Sequence, residues 1–96
     1  MRQLTLFNAY TLQREVDNAD MQRAIHDVRH RKTVANIARD MGWLTHHKTW
    51  PRGDTSRVKR AFGLLPTDGK LRKSCNIEHA ELLIRACDLD PYWYGI

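Results

Sequence analysis

The chain has 96 residues, of which 42% are hydrophobic and 28% are charged, with five glycines and three prolines. This length and composition are typical of one globular domain, residues 1–96 with 1–10 as a loose arm, and they exclude collagen-like and disordered chains. The formal net charge is +5, and no apolar run reaches the roughly 18 residues that a membrane-spanning helix needs.

The start of the chain also lacks the apolar core of a signal peptide. We therefore expect a cytoplasmic protein without a membrane partner. The two cysteines, Cys75 and Cys87, are too few for a disulfide framework, and we expect both to be reduced.

Positive charge is concentrated in the middle of the chain. Residues 22–73 hold thirteen basic and four acidic side chains, whereas residues 74–96 hold one basic and four acidic. A solvated basic surface is one explanation, but clustering of this kind is typical of proteins that bind a polyanion. The sequence therefore favours a nucleic-acid partner.

The first predicted helix is amphipathic. Apolar residues recur every three or four positions from Leu12 to Val28, which predicts a helix from Thr11 onward. A break is the alternative, with Asn18 or Asp20 capping a second helix.

The next helix is predicted over Thr33–Met41, with Thr33 as the N-cap and Gly42 as the glycine that ends it. The following stretch, Trp43–Arg52, contains polar residues and Trp-Pro, and we expect a long loop. Trp43 itself fits core packing better than stacking on bases.

A third helix is predicted after Asp54, its N-cap, with Val58 and Ala61 in the core and Gly63 near its end. Beyond it, Asp68-Gly69 is a hairpin turn signal, but its flanks do not alternate cleanly. A small wing-like hairpin near 64–75 and a plain basic loop both remain open.

The last predicted helix begins after Asn76 and buries Ala80, Leu83 and Ile84 on one face. It ends before Pro91, because the residue preceding a proline is pushed out of the helical region.

Ala38 and Gly42 have the spacing of a helix-turn-helix, which needs a small residue at the helix contact and a glycine in the turn. Val58 would be the first anchor of the recognition helix, but it leaves about ten extra residues in the turn. We predict a mainly all-α fold, a compact helix-turn-helix domain of four to five helices.

The third helix would then face DNA, because its basic and hydroxyl side chains surround the buried stripe. The predicted base-reading residues are Thr55, Ser56, Arg57, Lys59 and Arg60. The predicted phosphate contacts are Thr33, His46, His47, Lys48, Arg52, Lys70, Arg72 and Lys73.

Metal binding and catalysis are not favoured. His46-His47 and Cys75-x3-His79 lack the paired spacing of a zinc site. No nucleophile elbow, phosphate-binding glycine loop or metalloprotease motif is present. We expect a protein without cofactor or metal that is not an enzyme, and treat His79 as a surface residue.

The order of parts resembles small phage repressor-type helix-turn-helix proteins, especially immunity repressors of temperate actinobacteriophages. The resemblance covers residues 20–96 and is carried by the helix 33–42, the stretch 50–58 and the closing segment 83–91. It implies operator binding on double-stranded DNA, repression of transcription and, for a phage protein, the host cytoplasm.

Two other functions remain open from the sequence: a DNA-bending architectural or excisionase-like factor, and a basic protein-interaction module. The oligomeric state is also open, because the resemblance suggests a homodimer but no dimerisation helix follows the DNA-binding part. The apolar closing residues 92–96 fit core packing better than subunit pairing.

Overall fold

The computed structural model describes residues 14–47, 50–94 and 96. Within them, the elements are β1 (Glu15–Asp17), α1 (Asn18–Asp27), α2 (Val34–Met41), β2 (Thr45–His47), β3 (Trp50–Asp54), α3 (Ser56–Ala61), β4 (Ser74–Asn76), α4 (Ile77–Ala86) and a 3₁₀-helix (Pro91–Tyr94). Two small antiparallel sheets, β1–β4 and β2–β3, accompany the helices. The fold is therefore mixed α/β, and the predicted all-α class is wrong.

The first sheet replaces the start of the predicted first helix. β1 pairs with β4 through Val16↔Cys75, and both side chains are buried. The chain turns into α1 at Asp17, whose carboxylate accepts a 2.9 Å hydrogen bond from the Ala19 N–H. The predicted alternative placed a break at residues 17–20 with Asn18 or Asp20 as the cap. A helix does begin at Asn18, but a strand and not a helix precedes it, and the capping residue is Asp17. The predicted helical residues 11–13 and the predicted arm lie outside the described residues.

Other helix ends follow the sequence signals. The Thr33 hydroxyl accepts a 3.2 Å hydrogen bond from Asn36 N–H at the start of α2. Gly42 ends that helix in the left-handed conformation, with φ +78°. α4 begins at the predicted position, where the Asn76 side chain accepts from Glu78 N–H at 2.7 Å.

The predicted loop after Gly42 is a β-hairpin. β2 and β3 pair through Thr45↔Asp54 and His47↔Trp50, with an irregular register between them. The loop prediction is therefore wrong, because these strands are too short and too irregular to give an alternating pattern.

A wing-like hairpin at 64–75 does not form. Asp68 and Gly69 take φ values of +53° and +79°, as a type I′ turn requires. Thr67 and Lys70 exchange both backbone hydrogen bonds across that turn, but this bridge does not extend into strands. The region is a basic loop around one tight turn.

The core gathers the predicted apolar stripes. Ile37, Val58, Phe62, Leu83 and Ile84 have no exposed side-chain surface, and α4 packs against both α1 and α2. At the closing segment, Tyr94 is buried but Tyr92 and Trp93 are 77% and 71% exposed. Core packing of that segment is thus confirmed for Tyr94 alone of these three. In the described part of the chain, no helix has the length and apolarity to cross a bilayer.

Candidate nucleic-acid interface

The basic residues of the middle segment divide into two groups, and the first serves the fold. Lys32 Nζ lies 2.7 Å from Asp40 Oδ2 and 3.2 Å from Asp88 Oδ2. It also donates to the Ala86 carbonyl at 2.5 Å, while Arg31 donates to the Cys87 carbonyl at 3.0 Å. Cations beside these carbonyls interact favourably with the negative, C-terminal end of the α4 dipole. These two residues therefore stabilise the end of α4 from within the molecule.

The Lys32–Asp40 contact also changes the pKa of both side chains. The hydrogen bond from Lys32 lowers the pKa of Asp40 below its ordinary value of 3.8, and the same contact raises the pKa of Lys32 above 10.5. Both groups are therefore charged at neutral pH, which is the state that the ion pair needs.

Replacing Asp40 by asparagine should make stability less sensitive to acid. Because the folded-state pKa of Asp40 lies below its unfolded-state value, the ion pair stabilises the protein above about pH 4 and loses this effect as pH falls further. We expect Asp40→Asn to be less stable than the unmodified protein at about pH 7 and to match it near pH 2, measured by urea unfolding. A difference that stays constant with pH would contradict a charge-based role.

The second group of cations lies between residues 57 and 73, which we call the basic segment. It holds six basic side chains and one acidic one. Five of the six are exposed and Lys59 is half-buried. Within the described residues, none of the six side chains takes part in an ion pair. This segment is thus a surface with a net charge of +5 that the fold does not neutralise.

Helix α3 begins the basic segment and is held by its apolar face. The N-cap is Thr55, which makes no side-chain cap hydrogen bond, so the predicted N-cap at Asp54 is wrong by one residue. The Asp54 carboxylate nevertheless accepts a 2.8 Å hydrogen bond from Ser56 N–H at the start of the helix. Val58 and Ala61 are buried. The remaining faces of α3 therefore carry Arg57, Lys59 and Arg60 outward.

Arg57 is held against an aromatic ring. Its guanidinium carbon lies 4.2 Å from the centroid of the Trp43 indole. Trp43 is itself buried. Its ring is stacked on Phe62 with centroids 6.2 Å apart and forms a T-shaped pair with His79, whose ring centroid lies 4.7 Å away. The 4.2 Å distance between Arg57 and the indole is that of a cation–π contact, which restricts the direction of the side chain and is not itself a hydrogen bond. The predicted core position of Trp43 is confirmed, and Arg57 is oriented by it.

The loop after α3 is fixed from beneath by α1. The side-chain amide of buried Asn18 donates to the carbonyls of Arg72 at 2.9 Å, Ala61 at 3.3 Å and Ser74 at 3.3 Å. Its backbone N–H also donates to the Lys73 carbonyl oxygen at 2.9 Å. Arg72 and Lys73 therefore have a fixed backbone beneath exposed side chains. Sequence reasoning considered Asn18 only as a helix cap and missed this role.

A groove of about 450 Å³ lies beside α3. Its lining joins α3 to the loop, the hairpin and α4: Trp43, Thr45, Asp54, Ser56, Arg57, Arg60, Ala61, Thr67, Arg72 and His79. Three of these residues are arginines, and they come from two separate segments. The groove is consequently a concave site rich in cationic and hydroxyl groups.

The groove unites only part of the predicted site. It contains Ser56, Arg57 and Arg60 from the base-reading set and Arg72 from the phosphate set. The N-cap Thr55 and Lys59 of α3 are half-buried outside its lining, and Lys70 and Lys73 are exposed on the loop.

The remaining predicted contacts lie elsewhere. The Thr33 hydroxyl caps α2, and His46 is exposed on β2. His47 and Arg52 belong to the hairpin strands, whereas Lys48 lies outside the described residues. Thr45, Thr67 and His79 line the groove but were not predicted to form the site. His79 is half-buried against Trp43, so its prediction as a surface residue is wrong; only the tertiary contact reveals it.

The cysteines take no part in the groove. Both thiols are buried, and burial raises the pKa of Cys75 and of Cys87 to about 11. They are protonated at neutral pH and pack as small apolar side chains. The described residues bring together no group of three or more His, Cys, Asp and Glu side chains suited to a metal ion.

The connection between α2 and α3 differs from an ordinary helix-turn-helix. A β-hairpin stands where that motif has a short turn, and α3 has only six residues. α2 packs chiefly against α4. Comparison with models of protein families, with curated proteins and with solved structures finds no match to this chain.

Proposed function

We propose that this chain is a sequence-specific double-stranded DNA-binding protein that regulates transcription, acting as a repressor at operator sites. The observation that carries the proposal is the basic segment, whose six cations have no ion-pair partner among the described residues and flank a concave groove. Unneutralised clustered charge of this kind attracts a phosphate backbone. Repression is the part that the resemblance to phage repressors adds.

Helix α3 supplies the element that enters a groove of DNA. An α-helix with its side chains is about 10–12 Å in diameter, and the major groove of B-DNA, about 12 Å wide, can admit it. The six residues of α3 span about 9 Å along its axis. Arg57 and Arg60 lie on the exposed side of this helix. An arginine fork can donate two hydrogen bonds to one guanine, so α3 has the chemistry for reading a sequence.

The cations of the loop supply binding that does not depend on sequence. Lys70, Arg72 and Lys73 are exposed beside α3, and each phosphate that they neutralise releases counterions. The slope of log K against log salt is about −0.9 per phosphate contacted. With six basic side chains on this surface, we expect a slope no steeper than about −5.

Selection of bound fragments from random duplex DNA tests the proposal most directly. We expect an enriched motif, and competition assays at fixed salt should show tighter binding to that motif than to scrambled duplexes. A two-fold symmetric motif would indicate a homodimer, and an asymmetric one a monomer. Equal binding of all duplexes would overturn sequence specificity. Absence of binding even at low salt would favour a basic protein-interaction module.

The β2–β3 hairpin favours DNA bending as a second candidate function. It leads directly into α3, with Asp54 ending β3 and Ser56 starting the helix. A hairpin beside a recognition helix can follow the adjoining DNA as a wing. A circular-permutation gel on the selected motif separates the two functions, because a large bend favours an architectural factor and a straight complex favours a simple repressor.

A further inference from the structure

We infer that the groove beside α3 binds one phosphate group of the DNA backbone, with Arg60 and Arg72 donating to it and the Thr67 hydroxyl as a third partner. The inference rests on the proposed function, since the phosphate belongs to duplex DNA. It also changes the role of Arg60, which the sequence assigns to base reading.

The two arginines reach the groove from different parts of the chain. Arg60 lies on α3 and Arg72 on the loop before β4, and both line the groove. Both are exposed, and neither side chain has an ion-pair partner in the described ranges. Planar guanidinium groups match the oxygens of a phosphate and form short, charge-assisted hydrogen bonds. Two of them around one concavity therefore fit a single anionic group.

The shape of the site favours a phosphate over a base edge. Base edges lie at the floor of the DNA groove and are reached by side chains of an element that enters it. Phosphates protrude, so they fit a concavity whose donors converge. Arg57 differs from Arg60 and Arg72 because its guanidinium stacks on Trp43, which leaves it the better candidate for base reading.

The backbone that carries Arg72 is fixed before DNA binds. Its carbonyl accepts from Asn18 Nδ2 at 2.9 Å. The same carbonyl packs so closely on Gly63 that a Cβ there would come within 3.0 Å of it. A donor on a fixed backbone loses less conformational freedom on binding than one on a mobile loop.

Thr67 gives an independent sign of a ligand. Its hydroxyl oxygen is buried and has no hydrogen-bond partner in the part of the chain that the structure describes, yet the residue lines the groove. A buried polar group without a partner is costly. A phosphate oxygen in the groove would accept a hydrogen bond from the hydroxyl.

The one carboxylate of the lining does not cancel this charge. Asp54 is directed to the Ser56 N–H, which it caps at 2.8 Å, while three arginines share the groove with it. The net charge of the residues that line the groove therefore remains positive.

A double-mutant cycle on the selected duplex tests the phosphate contact. Each backbone phosphate in turn is replaced by an uncharged methylphosphonate, and the Kd is measured by fluorescence anisotropy. We expect one position at which the replacement raises the Kd of the unmodified protein about tenfold. At that position it should raise the Kd of Arg72→Ala and of Arg60→Ala by less than about threefold. Arg29→Ala, an exposed cation outside the groove, should retain the full tenfold effect. Additive losses at every position would overturn the inference.

Thr67→Val separates a ligand contact from a structural role. Because the hydroxyl has no hydrogen-bond partner among the residues that the structure describes, the isosteric valine should leave the free energy of unfolding unchanged or raise it. The same variant should bind the selected duplex about threefold more weakly. Loss of stability, or unchanged DNA affinity, would contradict the role of Thr67.

An NMR titration with inorganic phosphate tests the site even if the protein does not bind DNA. Saturable shifts of the Arg60 and Arg72 Nε–H signals, without shifts at Arg29, would support an anion site. If the protein then failed to bind DNA, the proposed function would be wrong and the anion site would stand. Equal shifts at all arginines would overturn the site, whatever the result with DNA.

Discussion

Replacing Gly63 by alanine is expected to lower the free energy of unfolding by about 2–5 kcal/mol, which is a large part of the stability of a small domain. Gly63 has φ +76°, and a Cβ at this position would come within 3.0 Å of the Arg72 carbonyl oxygen. The variant therefore combines left-handed backbone strain, about 1–2 kcal/mol, with overpacking, about 1–3 kcal/mol. Urea unfolding with linear extrapolation measures the sum.

Gly42→Ala is the matched control for this prediction. Gly42 has φ +78°, nearly the same as Gly63, but a Cβ there meets nothing within 4 Å. This variant should lose only the strain contribution, about 1–2 kcal/mol. Equal losses in the two variants would show that the loop does not pack on Gly63 as described.

Arg57→Ala is expected to weaken binding to the selected duplex by about 1–3 kcal/mol and to relax the sequence preference at one base pair. The reason is the contact with Trp43, 4.2 Å from the guanidinium carbon, which orients the side chain before DNA binds. Anisotropy with the selected duplex and its single-base variants measures both effects. Arg57→Lys keeps the charge but removes the planar fork, and should therefore lose specificity with less loss of general affinity.

Lys73→Ala is the comparison for a contact that only positions the protein. Lys73 is exposed and lies outside the groove. Its loss should weaken all duplexes alike and reduce the salt slope by about one. If Lys73→Ala relaxed specificity and Arg57→Ala did not, base reading would belong to the loop.

Local signals in the sequence were sufficient for several features of the site. Thr33 and Gly42 bound α2, and the Asp54 carboxylate accepts a hydrogen bond at the start of α3. Asp68 and Gly69 both take positive φ. Each of these features depends on groups within about four residues of one another, so a short stretch of sequence contains both partners.

The sheets could not be predicted in the same way. β1 and β4 have three residues each, which is too short for an alternating pattern, and they lie about 60 residues apart in the chain. Their pairing brings Val16 next to Cys75. Neither strand has a local signal, and for this reason the sequence did not predict this sheet.

The sequence by itself determined the positions of α2, α3 and α4, their buried faces and the concentration of positive charge in the middle of the chain. The tertiary structure decided which of those charges face solvent. Lys32 and Arg31 contact the end of α4, whereas Arg60 and Arg72 share a groove without internal ion pairs in the described residues. The physical reason is that charge is fixed by composition, but its neutralisation depends on contacts between residues far apart in sequence.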